Sequence, residues 1–166
     1  QHPQRVGVVV VVDALEDAIG PEDPFAEEIH HINEHSIELA LVWFRHFLGS
    51  DTSCSLVPIL CGSFAHITNP DAVKVDSNPI EKALPVLKKV LQKRKTIVIT
   101  AGDLAHVGPN FGDDIPVDLV GRAKLGTEDS ASLEAISRGD AEGFFQLSVK
   151  EKDKRRICGL PPIYIM

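Results

Sequence analysis

The sequence predicts an α/β fold, with a central, mostly buried sheet flanked by helices on both faces. Three observations predict it. Residues 6–12 form an almost unbroken valine run, the composition of a strand buried on both sides. Two further apolar runs, 55–61 and 96–100, have the length and β-branched content of strands. Segments with helical periodicity separate the runs, and alternation of the two element types is the pattern of a sheet between helical layers. The chain has 166 residues, 43% hydrophobic and 25% charged, which fits one globular domain spanning 1–166 with a core of its own.

Each element follows from local chemistry. Residues 13–19 read as a short helix ended by Gly20-Pro21, and 22–33 as an acidic connection with some helical character. From Ser36, the spacing of Ile37, Leu41, Phe44 and Leu48, flanked by Leu39, Val42 and Phe47, predicts a well-buried helix stopped by Gly49. Pro58 asks the 55–61 strand to be an edge or to carry a bulge. Residues 64–77 read as loop. Asn78-Pro79 opens a helix to about Lys95, kinked at Pro85, whose Lys88, Lys89, Lys93, Arg94 and Lys95 suit the helix dipole and a solvated face. Residues 96–100 form a third buried strand, with Ile97 and Ile99 in the core beside Val8, Val10 and Val12. One or two helices then cover 117–138, and another covers 140–149.

Charge and composition exclude whole classes of function. With 17 Lys+Arg against 24 Asp+Glu the formal charge is −7, and no basic stripe exists to neutralise phosphates, so no nucleic acid is expected as partner. The valine run is far shorter than the ~18 residues of a membrane span, and nothing resembles a signal peptide. Three cysteines are too few and odd in number for a disulfide framework, which points to a reducing, cytoplasmic setting. The chain opens at Gln1 without an initiator Met and stops at Met166 just as an element begins, so it reads as a fragment of a larger domain.

Candidate chemistry gathers in three places. Asp103 and His106, three residues apart after the third strand, can face one cavity, and glycines 102, 108 and 112 let the backbone turn there. An ordinary turn-capping Asp and a packed His account for the same pair equally well. His35, in Glu34-His35-Ser36-Ile37-Glu38, lies at the start of a helix; neutral imidazole binds metal, and a neighbouring glutamate can orient it. Plain helix-start residues explain the same segment. Cys158 follows two arginines that can favour its thiolate, whereas Cys54 and Cys61 read as small apolar residues with no zinc spacing.

Four segments taken together carry more than any one of them. Glu34-His35-Ser36-Ile37-Glu38, Pro58-Ile59-Leu60-Cys61-Gly62-Ser63-Phe64, the run from Gly102 through Asp103, His106 and Gly108-Pro109 to Asp113, and Arg156-Ile157-Cys158-Gly159-Leu160 resemble, in order and spacing, the Memo family. They look most like its prokaryotic branch, the AmmeMemoRadiSam system protein B. The resemblance covers residues 24–166 and implies kinship with class III extradiol dioxygenases, which hold non-haem Fe(II). It implies that His35 and Cys158 are metal ligands, that Asp103 and His106 line the same pocket, and that the metal is iron or copper; in an enzyme of that type His106 would act as acid/base with Asp103 orienting it, and the mixed donor set also admits zinc, less so than the other two. It also implies an AMMECR1-like protein and a radical S-adenosylmethionine protein as associates. The family's upstream ligand histidine and its closing strands have no counterpart here, and Ala40 stands where Gln is common, so the metal site is expected to be incomplete. Three function classes stay open: a metal-dependent redox enzyme of dioxygenase-like type, a vestigial enzyme fold that binds a peptide, phosphate or partner protein, and a structural piece of a larger assembly. Metal coupled to turnover separates the first from the others.

Overall fold

The computed structural model describes residues 25, 28–49, 56–68, 79–93 and 95–166, and these fall into two compact units. Among the described residues the first unit holds a 3-10 turn at Glu28–Ile32, helix α1 at Ser36–Leu48 and helix α3 at Pro79–Lys93, together with 56–60 and 95–99. The second holds α2 at Ala65–Thr68, a 3-10 turn at Pro109–Phe111, α4 at Leu119–Ser137, α5 at Ala141–Lys150 and α6 at Leu160–Ile165.

The expected central sheet is overturned: the described residues are helical, with no strand among them. The first strand, 6–12, lies outside the described residues, as do the short helix at 13–19 and the valines assigned to the core. Of the other two, 56–61 and 96–100 lie inside and run as irregular chain, with Ile97 74% exposed and Val98 and Ile99 also exposed rather than in a core. β-branched residues favour a pleated surface packed against neighbours, and a run of them makes a strand only where a ladder and a covering layer exist.

In the first unit, Ser36 N–H donates to Glu34 Oε1 (2.8 Å), which satisfies one free donor at the start of α1 and holds the Glu34 carboxyl below the usual carboxylate range. Gly49, at φ 75°, closes the helix by donating its N–H to the Arg45 carbonyl, the left-handed turn that a glycine makes without steric cost. The expected burial of α1 is corrected: Leu39, Val42, Trp43, Phe47 and Leu48 are all exposed. Trp43 stacks on Phe47, and these rings with Phe44, Ile97 and Ile99 edge an open apolar hollow of about 380 Å³. Helix α3 is amphipathic, with Leu84, Leu87 and Val90 half-buried and Lys88, Lys89 and Lys93 solvated.

The core of the second unit is built from Phe64, Ala135, Phe144, Ile157 and Leu160. Asp118 and Asp140 cap α4 and α5 by accepting the Gly121 and Gly143 N–H groups (2.7 and 2.8 Å). Helix α2, in a stretch expected as loop, brings Phe64 edge-on to Phe145 and Tyr164, with ring centroids 6.1 and 5.8 Å away. Arg155, 3% exposed, ties the turn after α5 to α4, bonding Glu151 (2.8 and 3.0 Å), Asp129 (2.7 Å) and Ser132 (3.1 Å). No helix among the described residues is long and apolar enough to cross a membrane.

Candidate metal centre

Two segments of the second unit meet at the site, 102–106 and 155–159. His106 N–H donates to the Arg155 carbonyl (2.7 Å), and Gly159 N–H donates to the Asp103 carbonyl (3.0 Å). The crossing is close because both chains carry glycine there. A Cβ on Gly102 would stand 2.5 Å from Gly159 Cα, and one on Gly159 would stand 2.8 Å from the Asp103 carbonyl oxygen. Side chains at either position would force the segments apart.

A second fastening lies beside the crossing. Arg156 is a left-handed residue (φ 51°), a conformation rare outside glycine, and from it the guanidinium donates to the His106 carbonyl (2.8 Å) and to both Asp113 carboxylate oxygens (2.9 and 2.8 Å). Asp113 also accepts the Gly108 N–H, and Arg156 with that bond holds its carboxyl below the usual range. The Asp113 partnership in turn raises Arg156 further above its ordinary value.

Asp103, His106 and Cys158 converge here. One carboxylate oxygen, one ring nitrogen and the sulfur all lie within 4.8 Å of one another. Cys158 Sγ accepts the Asp103 N–H (3.4 Å), and His106 Nε2 stands 3.7 Å from Asp103 Oδ2. His106 Nδ1 is 3.2 Å from the Leu104 carbonyl oxygen. A carbonyl can only accept, so that contact suits a proton on Nδ1, and the other ring nitrogen, Nε2, turns toward Asp103 Oδ2. Phe111 packs edge-on to the ring at 4.7 Å and fixes its plane. Nitrogen, sulfur and oxygen donors in one cluster suit iron, copper or zinc, whereas magnesium and calcium take oxygen shells.

A cleft of about 400 Å³ opens beside Cys158, walled by Phe64, Ile157, Leu160 and Pro161, with Cys61, Ser63, Asp153 and Arg156 also on its surface. Burial pushes both the Cys61 thiol and the Asp153 carboxyl above their ordinary values.

Three of the four residues singled out from sequence thus come together. His35 belongs to the other unit, where it is the exposed residue preceding α1 and its side chain does not cap the helix. The two arginines assigned to the Cys158 thiolate instead bond carboxylates, Arg155 with Asp129 and Glu151, Arg156 with Asp113. The Arg156–Asp113 fastening was the piece missed by sequence reasoning; its signal is opposite charges in two segments already expected to meet.

The architecture is therefore a helical unit in which nitrogen, sulfur and oxygen donors that could hold a metal ion gather at the crossing of two glycine-bearing segments. The chain belongs to the Memo-like protein family, whose model matches residues 7–166. No curated protein and no solved structure matches it.

Proposed function

We propose that this Memo-like protein binds a transition-metal ion through His106 Nε2, Cys158 Sγ and an Asp103 carboxylate oxygen, and that it serves metal-dependent redox chemistry on a small molecule in the adjoining cleft. The observation that carries the reading is the convergence of three different donor atoms within 4.8 Å, with Asp103 and Cys158 55 residues apart in sequence. Iron or copper held there supplies electron transfer and Lewis acidity. The chain's own residues orient the imidazole through Leu104, keep the sulfur against the Asp103 N–H, and shield one side with Phe111 and the cleft wall. The resemblance alone assigns His35 a ligand role, and His35→Ala tests it separately.

Metal content decides the matter. The purified protein, loaded anaerobically with Fe(II) or with Cu(I) and desalted, should retain stoichiometric metal and lose it on acidification, because ligation needs neutral histidine and thiolate. His106→Ala and Cys158→Ser should each lower metal affinity by roughly 10–100-fold or more, whereas Asp103→Asn, at an exposed carboxylate, should cost less. Wild-type metal content in both His106→Ala and Cys158→Ser would sink the assignment. Metal without oxygen consumption or product formation would favour the binding-module reading.

A further inference from the structure

The fork between Arg156 and Asp113 lies outside the donor cluster, yet it joins the chain on either side of it. We propose that Arg156 and Asp113 are positioning residues, whose fork clamps the loop 108–113 onto the segment that carries Cys158 and, through Phe111, sets the plane of the His106 ring. The inference rests on the reading of His106 as a ligand and names what holds that ligand in place.

The loop is closed on itself. Phe111 N–H and Asp113 N–H both donate to the Gly108 carbonyl (2.9 and 3.2 Å), and the Asp113 carboxylate accepts the Gly108 N–H in return. Whatever holds Asp113 therefore holds Phe111 as well. Two parallel bonds from Arg156 (2.9 and 2.8 Å) hold Asp113 from across the crossing, a geometry that restricts orientation as well as distance. The third Arg156 bond, from Nε–H to the His106 carbonyl (2.8 Å), grips the backbone of the residue whose ring Phe111 covers.

The ring needs that support. Nδ1 meets the Leu104 carbonyl at 3.2 Å, the long end of a hydrogen bond, and Nε2 stands 3.7 Å from Asp103 Oδ2, beyond one. A single long contact does not fix a ring plane. Phe111, edge-on at 4.7 Å, supplies the second constraint. It is itself 49% exposed, so its place depends on the loop that carries it rather than on burial in the core. A ligand whose ring is oriented before the ion arrives binds it more tightly, and loss of such an outer support costs about 10–100-fold in affinity.

The test reads the ring directly, by NMR of the full metal-free chain with isotope-labelled histidine. Phe111→Ala gives the His106 ring signals without the neighbouring ring current. Two variants break the fork at exposed positions. In Asp113→Asn the amide oxygen can still accept the Gly108 N–H, and Arg156→Gly suits a φ of 51° without steric cost. Both should move the His106 ring signals toward those of Phe111→Ala, while the signals of His46, in the other unit, stay in place. Guanidinium chloride at about 10–50 mM, far below denaturing concentrations, should return the Arg156→Gly signals toward the parent's. With Fe(II) loaded anaerobically, both variants should bind the ion at least about tenfold more weakly than the parent. The inference is overturned if either Phe111→Ala or both fork variants leave the His106 signals where they were. It is equally overturned by a shift in Arg156→Gly that guanidinium does not reverse, or by parental Fe(II) affinity in both variants. A parent chain that holds no Fe(II) refutes the metal reading instead, and the ring signals then decide the clamp by themselves.

Discussion

At the scale of single residues, the site depends on two positions that carry no side chain. Gly102 and Gly159 let the backbones of two segments touch, and that contact brings Asp103 beside Cys158. Gly159→Ala should cost about 1–3 kcal/mol by overpacking, and metal retention should fall with it. Gly126, inside α4 with nothing within 4 Å of its absent Cβ, is the contrast: Gly126→Ala should stabilise by about 0.5–1 kcal/mol through helix propensity. Urea midpoints of the two variants check both signs, and a Gly159→Ala protein as stable as its parent would mean the crossing is looser than the distances imply. Asp103, His106 and Cys158 were legible from sequence because their spacing and order form a pattern. The reason they meet was not, since a glycine in a loop announces freedom to turn without naming what it turns toward.

At the scale of elements, helices were legible where their ends carry chemistry. Gly49 stopped α1 where expected and Pro79 opened α3, whereas the caps at Asp118 and Asp140 came from the structure. The strands were not, because a strand is defined by its neighbour and the Ile97-Val98-Ile99 run encodes only half of the pairing. Burial of α1 was misread for the same reason: apolar residues around most of its circumference state a demand for cover, and the helix presents Trp43 and Phe47 to solvent. What holds α4 to the turn after α5 is ionic. Arg155→Met should cost about 3–5 kcal/mol in a denaturation experiment, since it strands the partly buried carboxylates of Asp129 and Glu151. Replacing all three by apolar residues of similar volume should recover most of that loss. A loss under about 1 kcal/mol for the single change would show that water reaches the network freely.

For the molecule as a whole, the carboxyls pull stability in opposite directions with pH. Burial raises Glu151, against the pull of Arg155, and Asp153 above their ordinary 4.5 and 3.8. Their contribution is therefore full below those ordinary values and is lost as pH rises through the higher folded-state values. Asp113 and Glu34 are lowered from 3.8 and 4.5, so theirs is present above those values and is lost as pH falls through the lower folded-state ones. Stability should accordingly rise on mild acidification from neutral pH as Glu151 and Asp153 take up protons, and fall once pH drops below the ordinary values of Asp113 and Glu34. Asp153→Asn should flatten that rise, and a urea midpoint falling steadily over the same range in the parent chain would contradict the assignment. The crossing of 102–106 with 155–159 carries a further consequence, in the currency of chain entropy. The Asp103–Cys158 contact spans 55 residues, and holding the ends of such a loop together costs an unfolded chain about 3.5 kcal/mol. In the native unit that cost falls on the packing of α4, α5 and α6, which place the two segments whether or not an ion is present. A cation shared between Asp103 and Cys158 would close a loop that is already closed, so its affinity would be free to go into coordination, and, held by the folded unit alone, it would raise stability with the logarithm of its concentration.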